Sequence, residues 1–209
     1  MGLTTTKGTK HMPLPIITIG RSFGSGGRLI GKKVATLLNI PIYDRELVEM
    51  TAERSGFHHA VVEQMQQNRP VSLLYTLSTS ALDVPLQDQV YFAQAKVIRE
   101  LAEKGPCVFV GRCADSILEE SHKVLEVFIH APLEMRAERA EKVYKLQAKN
   151  FKDLVKKKDK ARKAYYDYFT HRTWGKSDHY HLCINSAIGI DLAADIIARA
   201  ARDMAEMEG

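Results

Sequence analysis

A glycine-rich turn near the start of the chain has the composition of a phosphate-binding site. It follows an apolar run at residues 15–20 and precedes a helical pattern. Glycines adopt positive φ and let a phosphate approach without a Cβ in the way, and a helix N-terminus presents unpaired N–H groups to anions. The turn therefore predicts a phosphate loop, and the alternative is a tight turn without a ligand. The expected phosphate-binding residues are Ser22, Phe23, Gly24, Ser25, Gly26, Gly27 and Arg28.

The turn departs from both well-known phosphate motifs. In the pattern G-x-x-x-x-G-K-[ST], Gly27 stands at the lysine and Arg28 at the hydroxyl that ligates magnesium. The dinucleotide pattern G-x-G-x-x-G fails because Leu29 stands at its third glycine. If the loop serves catalysis, Arg28 or Lys32 is expected to have taken over the charge of the missing lysine.

Polar residues also follow two later apolar runs, where a parallel sheet would expose its ligand-binding edge. Asp44 and Arg45 end the second run, and Arg112 follows the third, with Asp115 three residues on. A guanidinium can bind a monophosphate with two hydrogen bonds. The alternatives are a surface arginine and two helix-capping aspartates.

A basic segment spans residues 152–163, where seven Lys and Arg residues stand against two Asp. This local surplus equals the net charge of +5 of the whole chain. Such a segment could bind the phosphates of a nucleotide or a nucleic acid, or it could form a solvated helix face. Arg136 and Arg139, spaced i and i+3, project from one face of an earlier helix.

Composition limits the class of protein. The 209 residues are 45% hydrophobic and 26% charged, which is typical of a soluble globular chain and excludes collagen-like, mucin-like and wholly disordered proteins. No apolar run approaches the roughly 18 residues of a membrane-spanning helix. The odd number of three cysteines, without a C-x-x-C pair, predicts a reduced, cytoplasmic compartment. We expect residues 1–13 to form a disordered tail and residues 14–209 a single domain.

Short apolar runs alternate with helical lengths, which predicts an α/β fold with a parallel sheet covered by helices on both faces. Strands are expected near 15–20, 41–44, 107–110, 124–129 and 182–185. Helices are expected at 45–54, 58–68, 86–104, 114–120, 133–149, 151–168 and 190–206. The first helix should bury a stripe of Ile30, Val34, Leu37 and Leu38. Residues 58–95 and 140–178 exceed what crossovers require and could cover a site.

Five segments in one order resemble the cytidylate kinase-like family of bacterial P-loop proteins. They are ITIGRSFGSGGRLIGKKVATLLNIPIYDRELV, VFVGRCADSIL, VFIHAPLEMRAERAEK, DKARKAYYDYF and WGKSDHYHLCINSAIGIDLAADII. The resemblance covers nearly everything after the tail. It implies a three-layer P-loop NTPase-like domain that uses ATP and Mg²⁺, with 58–95 as an acceptor-side insertion and 140–178 as a lid.

The resemblance also implies roles for individual residues. Asp44, Arg45, Arg112 and Asp115 would line the acceptor site. The catalytic candidates are Arg28, Lys32, Arg136, Arg139 and Arg162, and further lid candidates are Lys158, Lys160 and Arg172.

Three functions compete at this point. The first is an ATP-dependent phosphotransferase that acts on a nucleoside monophosphate or another small phosphorylated acceptor. The second is a degenerate module that binds nucleotide or nucleic acid, and the third is an oxidoreductase that uses the glycine turn with Asp44 at a ribose. The arginine series favours the first, with neither membrane nor nucleic acid as a partner and a homo-oligomer left open. The metal ligands are not identified, although His179, His181 and Cys183 would share one face of an extended segment.

Overall fold

The computed structural model describes residues 14–67 and 84–207. The predicted tail at residues 1–13 lies outside these ranges, as does the middle of the predicted insertion at 58–95. No helix within the described ranges has both the length and the apolar character needed to cross a membrane.

A five-stranded parallel sheet forms the centre of the fold, as the alternating pattern predicted. Its spatial order is β2-β3-β1-β4-β5. The strands are β1 (Ile16–Arg21), β2 (Ile42–Tyr43), β3 (Val108–Val110), β4 (Val124–His130) and β5 (Leu182–Asn185). Because β1 lies in the middle with β3 and β4 on either side, its carboxyl end opens between the carboxyl ends of its two neighbours.

Helices cover both faces of the sheet. They are α1 (Gly27–Leu38), α2 (Glu46–Ser55), α3 (His59–Gln67), α4 (Leu86–Ala102), α5 (Ala114–Leu118), α6 (Leu133–Lys142), α7 (Phe151–Thr170) and α8 (Ile190–Glu206). On one face α1 and α8 bury Ile17 and Ile19 of β1. On the other, α4, α5 and α7 pack around Phe109. Burial on both faces explains why the strands read as continuous apolar runs.

Two sequence predictions need correction. Leu37 is 44% exposed, because the buried stripe of α1 runs through Ile30, Gly31, Val34 and Ala35, and position 37 lies about 100° round the helix from position 38. The helix predicted at 133–149 ends at Lys142. The irregular segment that follows ends at Asn150, whose side chain accepts hydrogen bonds from the N–H groups of residues 152 and 153 and so starts α7.

Candidate active site

The predicted phosphate loop, residues 22–26, joins the carboxyl end of β1 to the N-terminus of α1. Gly24 and Gly26 have φ of +79° and +83°, a left-handed conformation that favours glycine. Gly26 is the N-cap of α1, and within the described part of the chain no side chain caps this helix and no acidic residue lies in its first turn. The helix therefore presents its positive end to the loop without a carboxylate of its own.

Close packing fixes the shape of the loop. A Cβ on Gly24 would lie 2.5 Å from the main-chain oxygen of Arg136, and one on Gly26 would lie 2.7 Å from Cδ1 of Ile190. The hydroxyl of Ser186 donates to the Ser25 carbonyl at 2.6 Å. Gly24 is thus required by space as well as by φ, because its neighbour is backbone, whereas Gly26 is required mainly by φ.

Arg136 and Arg139 of α6 hold the loop from outside. Arg139 Nη1 donates to the carbonyl of Gly24 at 2.7 Å, and Arg136 Nη1 donates to the carbonyl of Phe23 at 3.3 Å. The structure therefore brings both predicted arginines to the phosphate loop, where they bind carbonyl oxygens.

Residues 143–170, which we call the cover, close the other side of the loop. Asp159 Oδ1 accepts a hydrogen bond from the backbone N–H of Phe23 at 2.6 Å, and Asp159 pairs with Arg136. Arg162 donates to the carbonyl of Arg21 at 3.0 Å and lies over the Phe23 ring, 5.1 Å from its centroid.

Tyr144 of the cover also contacts the loop. Burial raises the pKa of Tyr144, while Arg139, Arg162 and a backbone hydrogen bond from Gly26 act in the opposite direction. The Tyr144 ring contacts the Phe23 ring, with the centroids 6.3 Å apart, so Tyr144 packs against the loop. The Asp159 carboxylate oxygen stands where a phosphate oxygen would find a donor.

Beside the loop lies a cluster of guanidinium groups around one carboxylate, that of Asp44. Arg28 Nε is 2.7 Å from Asp44 Oδ2, and Arg21 Nη2 is 3.7 Å from Asp44 Oδ1. Asp44 also acts on the pKa of Arg112 and Arg162. Among the described residues, this arginine cluster consists of Arg21, Arg28, Arg112 and Arg162.

The arginine cluster carries more positive charge than Asp44 offsets. Burial, together with the charges of Arg162 and Arg112 and against the effect of Asp44, lowers the pKa of Arg21 to about 9. Burial likewise lowers the pKa of Arg162 to about 10 and lowers the pKa of Arg112. These guanidiniums repel one another, and an anion bound among them would relieve the repulsion.

A left-handed turn directs Arg112 toward the cluster. Gly111, Arg112 and Cys113 have φ of +70°, +65° and +57°, and Gln94 Nε2 donates to the carbonyl of Arg112 at 3.0 Å. Positive φ at two consecutive non-glycine residues costs on the order of 1–2 kcal/mol each. Such strain persists where surrounding structure enforces it, and it concentrates at functional sites.

Asp44, for which the sequence left two interpretations open, lies among the arginines beside the loop. Arg45 is the N-cap residue of α2, and no side chain caps this helix within the described ranges. The carboxylate of Asp44 instead pairs with Arg28 across the site. Two other predicted residues are not brought to the cluster, since the side chains of Arg45 and Lys32 are exposed.

Asp115 was expected at the acceptor site together with Arg112, but it lies apart from the arginine cluster. It is 6% exposed, and its Oδ2 accepts a hydrogen bond from the hydroxyl of Tyr166 at 2.8 Å. Burial raises the pKa of Asp115. Burial raises the pKa of Glu126 to about 7, and the nearby charge of Asp115 acts in the same direction.

The remaining candidates lie outside the arginine cluster. Arg172 pairs with Glu119 on α5's C-terminal side. Lys160 is exposed, and Lys158 is half-buried on α7. His181 Nδ1 accepts from the backbone N–H of Glu126 at 3.0 Å. In the described ranges no three His, Cys, Asp or Glu side chains are grouped as metal ligands.

Three residues of the site, Arg21, Tyr144 and Asp159, were not predicted from the sequence. Arg21 had a readable signal, because it is the last residue of β1 and so lies at the ligand-binding edge. Asp159 stands three residues before Arg162 on the same helix face. No pattern in the sequence distinguished Tyr144 from a packing residue.

Together, a parallel sheet, a glycine loop at the N-terminus of α1 and arginines converging beside it define the fold of a P-loop kinase. Residues 16–188 match the cytidylate kinase-like family, and the chain belongs to it. The comparison with curated proteins returned no match.

Solved structures agree with this fold. An uncharacterized protein from Eubacterium ventriosum is 29% identical, with a TM-score of 0.66 over 90% of this chain and 98% of that one. A gluconokinase from Sinorhizobium meliloti is 14% identical, with a TM-score of 0.54 over 96% of this chain and all of that one. A shikimate kinase from Bacteroides thetaiotaomicron is 16% identical, with a TM-score of 0.52 over 93% and 99%. At these identities the two kinases share the fold alone.

Proposed function

We propose that the protein is an ATP-dependent phosphotransferase whose acceptor is a small phosphorylated molecule, with nucleoside monophosphates as the first candidates. The observation that carries this proposal is the arginine cluster beside the phosphate loop. Phosphoryl transfer needs mainly positive charge and positioning around the transferred group. The cluster supplies both, next to a helix N-terminus that suits the donor phosphates.

On the donor side, the phosphates of ATP would lie along the loop and the first turn of α1. One of the loop's N–H groups, that of Phe23, is now used by Asp159 of the cover. When ATP binds, a phosphate oxygen would replace the Asp159 oxygen at this N–H group. Arg162, which already reaches the loop from α7, would then face the phosphates.

On the acceptor side, Arg112 would bind the acceptor's phosphate with two hydrogen bonds. Its strained backbone turn holds it there before the acceptor arrives. Asp44 would orient Arg28 through their ion pair. Because the cluster is under-neutralised, a dianionic acceptor should be preferred to a neutral one.

Magnesium is implied by the family, and the oxygen donors fit a loosely held ion. The carboxylate of Asp44 lies at the site, and the buried hydroxyl of Ser25 has no hydrogen-bond partner among the described residues. Mg²⁺ commonly keeps several waters and binds through one or two protein oxygens together with substrate phosphates. When bound, it would neutralise charge on the phosphates of ATP.

A nucleotide-binding module without turnover is the second candidate. Two observations favour it: Gly27 stands where the catalytic lysine would be, and the cover already uses the N–H group of Phe23 in the loop. In that case the protein would bind ATP without transferring its phosphate.

A turnover assay separates the two candidates. ATP consumption would be measured with Mg²⁺ against a panel of nucleoside monophosphates, with shikimate and gluconate added because kinases named for them share the fold. We expect consumption with at least one phosphorylated acceptor. ATP binding in a calorimeter without consumption by any acceptor would favour the module.

A further inference from the structure

We propose that Arg21 supplies the positive charge that the missing loop lysine would bring to the donor phosphates. This inference rests on the proposed function, because it assigns a residue to the donor half of the same site. The position in question is Gly27, the first residue of α1.

The side chain of Arg21 fills the space that a side chain at position 27 would need. A Cβ built on Gly27 would lie 2.7 Å from Cβ and 3.1 Å from Cγ of Arg21. Real Cβ atoms do not approach other carbons this closely. Gly27 lies in helical backbone and is not among the glycines with positive φ, so its φ alone does not require glycine. Glycine at position 27 is explained by the stem of Arg21.

The guanidinium of Arg21 passes a second glycine on its way to the site. A Cβ on Gly111 would overlap Nη1 of Arg21. Beyond Gly111 the guanidinium reaches Asp44, with Nη2 3.7 Å from Oδ1. Two glycines, at positions 27 and 111, thus border the path of one arginine from the end of β1 to the arginine cluster.

Arg21 is better placed for this task than the two residues that the sequence suggested. Arg28 forms an ion pair with Asp44, in which Nε lies 2.7 Å from Oδ2. Lys32 is exposed one turn further along α1, where its charge acts on Glu46. Arg21 lies 3.7 Å from Asp44, longer than a hydrogen bond, and its electrostatic neighbours Arg162 and Tyr144 both contact the phosphate loop.

The contact between residues 21 and 27 allows an exchange experiment. Arg21→Met keeps a stem in place and removes the charge, so we expect kcat to fall on the order of 100-fold. The kcat of Gly27→Lys alone should fall as far, because the new side chain collides with Arg21. The double variant Arg21→Gly with Gly27→Lys removes both the Cβ and the Cγ of residue 21 and restores the lysine, so it should recover kcat to within about tenfold of wild type.

Binding and folding are measured alongside turnover. ATP affinity is taken from calorimetry, and each variant is checked by circular dichroism and thermal unfolding. Arg199→Ala on the exposed face of α8 serves as the control for loss of one arginine and should match wild type. Arg21→Met and Arg21→Ala give two routes to the charge loss should one of them fail to fold.

ATP consumption and ATP binding together distinguish a wrong role for Arg21 from a wrong proposed function. If wild type consumes ATP and a folded Arg21→Met variant stays within threefold of it, Arg21 has no such role. A folded double variant no more active than Arg21→Gly would also overturn the exchange. If wild type binds ATP without consuming it, the proposed function fails. The role of Arg21 at the donor phosphates is then supported if Arg21→Met weakens ATP binding at least tenfold, and overturned if it does not. A wild type that neither binds nor consumes ATP would overturn both.

Discussion

The carboxylate of Asp159 accepts a hydrogen bond from the backbone N–H of Phe23, a donor of the phosphate loop, at 2.6 Å. The two residues are 136 positions apart in the chain, so the contact joins the cover to the loop. Asp159 also pairs with Arg136, which itself donates to the carbonyl of Phe23. A carboxylate therefore lies at a donor that a phosphate oxygen could use.

Replacement of Asp159 by alanine should strengthen ATP binding. A net hydrogen bond is worth about 1 kcal/mol, so the dissociation constant should fall about fivefold when this internal competitor is removed. Calorimetry measures the change, and Asp153→Asn, an exposed acid lost from the same helix, is the control. Weaker ATP binding by Asp159→Ala would show that the carboxylate helps to form the site.

Gly111→Ala and Gly56→Ala form a matched pair. Both glycines have positive φ, +70° and +73°, so each alanine should cost on the order of 1–2 kcal/mol of stability in urea unfolding. A Cβ at position 56 has nothing within 4 Å, whereas one at position 111 displaces the guanidinium of Arg21. Only Gly111→Ala should therefore also lower turnover. Equal activity of the two variants would contradict the path drawn for Arg21.

Arg112→Ala should raise the KM for the acceptor and leave ATP affinity nearly unchanged. Loss of a hydrogen bond to a charged group costs on the order of 1.5–3 kcal/mol, which is about tenfold to a hundredfold in KM. Steady-state kinetics at saturating ATP gives the KM, and calorimetry gives the ATP affinity. A variant that loses ATP binding instead would place Arg112 on the donor side.

Glu126 should make stability depend on pH. Burial, with help from Asp115 and against Arg172, raises the pKa of Glu126 to about 7, while the unfolded chain titrates near 4.5. The folded protein therefore holds a proton that the unfolded chain has lost, and stability falls as pH rises from about 4.5 to 7. The loss is up to about 3 kcal/mol, at about 1.4 kcal/mol per pKa unit.

Glu126→Gln is the test of this dependence. The amide does not titrate, so its stability relative to wild type should rise between pH 4.5 and pH 8 in urea unfolding. Asp115, Arg172, Glu119 and His181, the charged and titratable groups near Glu126, are unchanged in the variant. A difference between the two proteins that stays constant with pH would show that Glu126 titrates normally.

Local patterns predicted the sheet, most of the helices and the phosphate loop, because these depend on apolar period and on glycine. The sequence could not show whether Asp44 caps a helix or lies at the acceptor site, because aspartate both caps helices and binds cations. Its assignment depends on Arg28, which reaches it from α1. That contact exists only once β2 and α1 are assembled.

One error of grouping and one omission have a physical origin in the fold. Arg112 and Asp115 are three residues apart and were expected to act together. The positive φ of Arg112 and Cys113 separates them, so that Arg112 joins the cluster while Asp115 turns inward to Tyr166. Arg21 was overlooked because its importance depends on the positions of Gly27 and Gly111, which the fold brings to either side of it.

The charge imbalance of the arginine cluster has a practical consequence for the choice of solution conditions. Four guanidiniums carry more charge than Asp44 and Asp159, the carboxylates beside them, can offset, so the cluster should attract small inorganic oxyanions as well as nucleotides. Phosphate and sulfate would then compete with the substrate and, by binding the folded protein, raise its melting temperature. Dissociation constants measured in phosphate buffer should exceed those measured in an amine buffer at equal ionic strength, and ammonium sulfate should be removed before the substrate is sought.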